Sequence, residues 1–218
     1  MKKSYLLGWM LLAAVSGQVV AEPSTHVAWT PETLKFVKNG NAEKGKEIAQ
    51  ACEACHAATP ENAESEYPYL QGQSATYLYK QLHDYKDGSR SNEIMVGISA
   101  GLSDQDMADV SAWYSRQPAA PAQKMGEVPD AIRELVSQGD GRRIVAPCAS
   151  CHGSAGQGQT MDTPVLAGDK TSYLEQTMLA YKSGARHNDI YQRMRLIVQQ
   201  LSDEEIRQLA RYYAGLER

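Results

Sequence analysis

The sequence predicts an all-α protein made of two tandem copies of one small helical unit. The first observation behind this is an internal repeat. A shift of 96 residues lays Gly45 on Gly141, Ile48 on Ile144, Leu70 on Leu166 and Gly72 on Gly168, and runs on through YLYKQLHDYKDGSRSNEI (77–94) and YLEQTMLAYKSGARHNDI (173–190). After Ile94 the offset becomes 99, so LSDQDMADVSAWY (102–114) matches LSDEEIRQLARYY (201–213). Agreement at so few offsets is the mark of a duplicated unit. The second observation is helical spacing with helix-start and helix-stop residues and no convincing strand pattern. The third is a connector, SRQPAAPAQKMGEVP (115–129), whose three prolines and small residues favour an extended, semi-rigid segment.

Taken in order, residues 1–21 read as a secretory signal peptide: Lys2 and Lys3, an apolar run from Tyr5 to about Val15, and a small-residue exit with cleavage after Ala21. That run is short of the roughly 20 residues a membrane span needs. Residues 22–37 have no repeat counterpart and are expected to form a loose N-terminal extension, His26 included. Domain 1 is placed at 38–115, the linker at 116–128 and domain 2 at 129–218.

In each domain a first helix is expected over 41–55 and 138–151, with Pro147 kinking or ending the second of them. Gly45 and Gly141 are expected to let that helix cross the last one closely, against Trp113–Tyr114 and Tyr212–Tyr213. A middle helix covers about 74–87 and 170–183, each closed by a glycine, Gly88 or Gly184. The last helix opens at Ser103 or Ser202, with Asp106 and Glu205 as capping-box partners.

The charge is −4 over the whole chain and −6 once Lys2 and Lys3 are lost with the leader. An acidic chain with few basic runs lacks the concentrated positive footprint that nucleic-acid binding needs. Its surface suits a cationic partner face instead.

All four cysteines sit in two short stretches, ACEACHAATP (51–60) and PCASCHGSAG (147–156), each pair followed by a histidine. Cys52, Cys55 and His56 thus form one CxxCH, and Cys148, Cys151 and His152 the other. Spare thiols in an exported protein tend to pair, but this spacing suggests another use. Zinc bound by all four cysteines is one alternative and a redox dithiol another. Zinc would leave both histidines unexplained and would draw its ligands from separate repeats. CxxCH is the covalent attachment signature of c-type haem, with the cysteines joined to the macrocycle and the histidine on the iron. Two such haems would also supply apolar bodies to small units of a chain that has one phenylalanine and few large aliphatics.

A closed electron-transfer iron needs a sixth ligand, and a methionine thioether is a known choice. Met95 and Met194 occupy matching places, each seven residues before the leucine that opens the last helix, and are expected on loops. Met107, Met125, Met161 and Met178 have no matching methionine and read as packing or surface residues. His83 and His187 also lack counterparts and are the fallback ligands. Pro68 and Pro164 each follow their histidine by 12 residues, where a backbone carbonyl can orient a ligating imidazole. Arg90 and Arg186 are either solvated charges or neighbours of haem propionates.

These motifs resemble the diheme cytochrome c4 family over about residues 39–215: CEACH and CASCH, the proline–leucine–glycine stretches at 68–72 and 164–168, YKDGSRSNEIM and YKSGARHNDIYQRM, and the two LSD helices. The resemblance implies two tandem class I cytochrome c domains, each wrapped around a covalently bound haem c. It implies iron coordination by His56 with Met95 and by His152 with Met194, with the Pro68 and Pro164 carbonyls accepting from the histidines. It also implies propionates near the face between the domains. Such proteins are periplasmic electron carriers, some loosely associated with the membrane, that commonly serve terminal oxidases. The alternative is the electron-accepting cytochrome subunit of a sulfide or thiosulfate dehydrogenase complex; a diheme enzyme is the weaker reading, because methionine at both irons leaves no open position for substrate. The first copy is shorter before its methionine than the second, which has gained Tyr191, Gln192 and Arg193.

Overall fold

The computed structural model describes residues 23–217 except 60, 61, 63, 64, 125 and 160. The leader expected at residues 1–21 and Met125 lie outside the described residues. Among the described residues ten α-helices run in order: α1 (Pro31–Lys38), α2 (Ala42–His56), α3 (Ala75–Asp87), α4 (Glu93–Ala100) and α5 (Asp104–Ser115), then α6 (Asp130–Gln138), α7 (Cys148–His152), α8 (Thr171–Ser183), α9 (Arg193–Val198) and α10 (Asp203–Ala214). Among the described residues no strand forms; one isolated antiparallel bridge pairs Asp140 with Val145.

The capping expectations hold. Ser103 accepts from the Asp106 N–H while the Asp106 carboxylate accepts from the Ser103 N–H, and Ser202 with Glu205 repeats the arrangement at α10. Gly88 and Gly184 close α3 and α8 in the left-handed conformation, φ 84° and 80°. In each unit the last helix anchors the proline loop: the Gly72 N–H donates to the Tyr114 carbonyl and the Gly168 N–H to that of Tyr213.

Gly45 lets α2 cross α5 at close range. A Cβ there would strike the carbonyl of Asp109 and lie 3.0 Å from the Trp113 Cβ. Gly141 has no such role, since none of the described residues beyond its chain neighbours lies within 4 Å of a Cβ built on it. The reason is that residues 138–151 do not make the expected helix. The helix of this region ends at Gln138, Gly139 turns the chain at φ 72°, and Asp140 and Val145 exchange backbone hydrogen bonds across a tight reversal. Pro147 then starts a short helix that holds only the CASCH residues. Ile132, Leu135 and Val136 of α6 take the place against the core of the second unit, packed with Ile206, Leu209 and Tyr213 of α10.

The N-terminal extension is not loose. Val37 of α1 is buried, with Val27 and Trp29 packed on the same cluster as Tyr79 and Met107. Thr25 Oγ1 donates to Asp84 Oδ1 at 2.5 Å, and His26 Nδ1 lies 3.1 Å from Asp87 Oδ2. Residues 25–38 therefore strap the first unit, because an apolar face at Val27, Trp29 and Val37 has a helical surface to cover.

The described residues 118–129 carry no regular secondary structure. They lie against the second unit, where Ala120 and Val128 are buried and the Gln123 N–H donates to the Ala214 carbonyl.

Candidate functional site

Each unit holds a cavity, and the expected site residues line it. The first, about 410 Å³, is bounded by Cys52, Cys55, His56, Pro68 and Met95. The second, about 130 Å³, is bounded by Cys148, Cys151, His152, Pro164 and Met194. Both methionines are half-buried and sit on the short helices α4 and α9 instead of the expected loops. Asn92 caps α4 by accepting from the Met95 N–H, which orients the backbone of that residue.

The two histidines are set alike. His56 Nδ1 is 2.8 Å from the Pro68 carbonyl oxygen, and His152 Nδ1 is 3.1 Å from that of Pro164. A carbonyl can only accept, so Nδ1 carries the proton and Nε2 keeps its lone pair. Burial lowers the pKa of both rings, against the opposing effect of the proline carbonyl. Each imidazole is therefore held neutral with one donor nitrogen free, the form in which it binds a metal.

The remaining walls fit a haem. Leu70, Leu78, Leu82 and Val110 in the first cavity, and Leu174, Val198, Leu201 and Leu209 in the second, make apolar sides for a flat macrocycle. The four cysteines form no disulfide, and burial beside the cavity pushes the Cys52 and Cys148 thiols up. Arg186 borders both cavities, and its Nη1 is buried without a hydrogen-bond partner among the described residues, as suits a carboxylate supplied by a bound group.

The arginines are neither solvated nor equivalent to surface charges. Arg90 lies 4.6 Å over the Tyr85 ring and donates to Tyr173 Oη in the other unit. Arg186 lies 4.6 Å over the Tyr181 ring and donates to Tyr77 Oη in the first unit. The repeat offset of 96 thus reappears as a pseudo-two-fold exchange across the face between units. Burial alone would raise the Tyr173 phenol, but Arg90 and Arg186 bring it down to about 8.

Sequence reasoning missed this shared wall. Tyr77, Gln81, Leu166, Leu174 and Thr177 line both cavities, together with Pro164 and Arg186. The available signal was the duplication of Tyr77 as Tyr173. His83 and His187 line neither cavity; His83 packs on the Tyr79 ring and His187 is exposed, so the fallback ligands lie elsewhere.

The comparisons with known proteins agree with this geometry. The family model described as cytochrome c matches residues 42–115 and again 139–217. The chain is 37% identical to the thiosulfate dehydrogenase electron acceptor of Stutzerimonas stutzeri, over 77% of this chain and 80% of that protein. It is 36% identical to cytochrome c4 of Pseudomonas aeruginosa, over 81% and 89%. The crystal structure of reduced recombinant cytochrome c4 from Pseudomonas stutzeri superposes with a TM-score of 0.73 at 30% identity, covering 82% of this chain and all of that one. Duplicated CxxCH motifs on duplicated cavities, with these relatives, place the chain in the cytochrome c family as a member of the diheme cytochrome c4 group, an electron-transfer protein with two covalently bound haem c groups.

Proposed function

We propose that this cytochrome is a periplasmic carrier that moves electrons between respiratory redox proteins, toward a membrane terminal oxidase, without catalysing a reaction of its own. In this reading Cys52 and Cys55 bind the first haem and Cys148 and Cys151 the second. His56 with Met95, and His152 with Met194, are the axial pairs, and the Pro68 and Pro164 carbonyls orient the histidines. The haem domains are residues 38–115 and 129–218, joined by 116–128. The leader at 1–21 directs export, and association with the membrane is peripheral; no helix of the described residues is long and apolar enough to cross it.

The observation that carries the reading is that a methionine borders the same cavity as the histidine in both units. Each haem supplies one-electron exchange at iron when bound. The protein's own part is to close both faces of the site, exclude water with aliphatic walls, and keep the imidazole neutral and fixed. Those functions serve electron transfer, whereas substrate chemistry calls for an open coordination position.

A second reading is favoured by the relative named as a thiosulfate dehydrogenase electron acceptor. Here the same two sites would take electrons from a sulfur-oxidising enzyme. Stopped-flow mixing of the oxidised protein with thiosulfate alone, with thiosulfate plus its dehydrogenase, and of the reduced protein with oxidase-containing membranes separates the cases. Fast oxidation by membranes with no turnover of thiosulfate by the isolated protein supports the carrier. Reduction only in the presence of the dehydrogenase, with no oxidation by membranes, supports the second reading, and turnover by the isolated protein overturns both.

A further inference from the structure

The two units differ in charge far more than in fold. Residues 38–115 carry six Lys or Arg against twelve Asp or Glu, net −6, whereas residues 129–218 carry eleven of each, net 0. The formal charge that remains without Lys2 and Lys3 is thus the charge of the first unit.

The mouths of the cavities follow the same division. Tyr67, Ile94 and Ile98 line the first cavity and are also 37%, 51% and 40% exposed, so they form its rim. Glu66 lies on that rim and is exposed, and Glu93 opens α4 one residue before Ile94. Among the described residues neither glutamate takes part in an ion pair closer than 4.0 Å. At the second mouth Arg193 and Asp162 neutralise each other in a two-pronged pair at 2.7 and 2.9 Å. On the adjoining segment the exposed apolar groups are Tyr191 and Leu196, and Arg195 there is paired with Asp189 at 2.7 Å.

We propose that the first mouth, with its apolar patch of Tyr67, Ile94 and Ile98 and its carboxylates Glu66 and Glu93, is the docking surface for a basic-faced redox protein. An apolar centre flanked by unpaired charge is the anatomy of a transient interface, in which the charge steers the encounter and the apolar contact seals it. The net −6 of the whole unit extends that steering beyond the rim. The second mouth offers such a partner no attraction, so basic partners exchange electrons through the first unit alone. The proposal rests on the electron-carrier reading and assigns one of its partner classes to one unit.

Two measurements on the holoprotein test it separately from that reading. Hexaamminechromium(III), a redox-inert trication, reports where cations gather without any electron transfer. NMR line broadening is expected at Tyr67, Ile94 and Ile98, absent at Tyr191 and Leu196, and lost in Glu66→Gln/Glu93→Gln. Equal broadening at both mouths, or broadening unchanged in the double variant, overturns the proposal even if the protein is a carrier. In the second measurement, a lysine-rich monohaem cytochrome c is the redox probe at low salt. Glu66→Lys/Glu93→Lys is expected to slow exchange about tenfold, while Tyr191→Ser leaves it unchanged. The reverse pattern overturns the proposal, and no exchange with any redox partner overturns the carrier reading while leaving the cation result standing.

Discussion

Lys80 Nζ, from α3 of the first unit, donates to the backbone carbonyl of Asn188 in the second unit at 2.7 Å. The same ammonium binds Asp84 Oδ2 at 2.5 Å, and Asp84 accepts from Asn188 Nδ2 and from Thr25. Lys80 and Asp84 are almost wholly inaccessible, 2% and 0%. Burial pushes the Lys80 ammonium toward its neutral form and Asp84 opposes that, so the charge survives only because it is fully paired.

Lys80→Met leaves Asp84 buried without its cation. The loss is expected to be about 3–5 kcal/mol in denaturant unfolding of the holoprotein. Lys80→Met/Asp84→Leu removes both charges and is expected to regain most of that loss. A double variant as unstable as the single one would mean that the packing of the lysine stem, and not the pair, holds the units together.

Gly45→Ala forces α2 away from α5 and is expected to cost about 1–3 kcal/mol. Gly141→Ala, at the matching position of the repeat, meets open space and is expected to change stability by less than about 0.5 kcal/mol. Thermal unfolding of the two variants side by side checks the contrast, which no argument from the repeat alone would produce.

Under the proposed axial pairs, the oxidised protein shows a weak sulfur-to-iron absorption band from both sites. Met95→His and Met194→His are each expected to remove about half its intensity and to lower one of the two reduction potentials. Near-infrared absorption and a redox titration of each variant measure this. An unchanged band in both variants would place the sulfur ligands elsewhere.

The Arg143 pair, at 2.8 and 2.9 Å, is the largest influence that holds the Glu205 carboxyl below its ordinary value, with the Ser202 N–H adding to it against partial burial. A depressed carboxyl contributes stability above its unfolded value of about 4.3, and that contribution is lost as pH falls through the folded value. Unfolding midpoints between about pH 3 and 6 are expected to fall less steeply with acid in Glu205→Gln than in the parent. Ser202→Ala removes the other half of the capping box and is expected to cost about 1 kcal/mol at neutral pH.

By itself the sequence determined that the protein is all-helical, duplicated and equipped with two CxxCH sites. Those features are local. Two residues between cysteines, a histidine beside them, a serine three before a carboxylate and a glycine after a helical run each act within a turn or two of chain, so they can be read in place. That His56 and Met95 share one cavity, and His152 and Met194 the other, was legible for a different reason, because the duplication supplied a second copy against which to check the register. The tertiary structure decided what depends on distant neighbours. Residues 138–151 hold apolar spacing suited to a helix, yet Gly139, the Asp140–Val145 reversal and Pro147 turn them, and α6 fills the place against α10. Residues 25–38 gained order only by covering Tyr79 and Met107. The contacts of Lys80 with Asn188, of Arg90 with Tyr173 and of Arg186 with Tyr77 join positions 83–109 residues apart. Such contacts leave no periodic trace, because their energy comes from mutual burial and charge pairing once both units are folded.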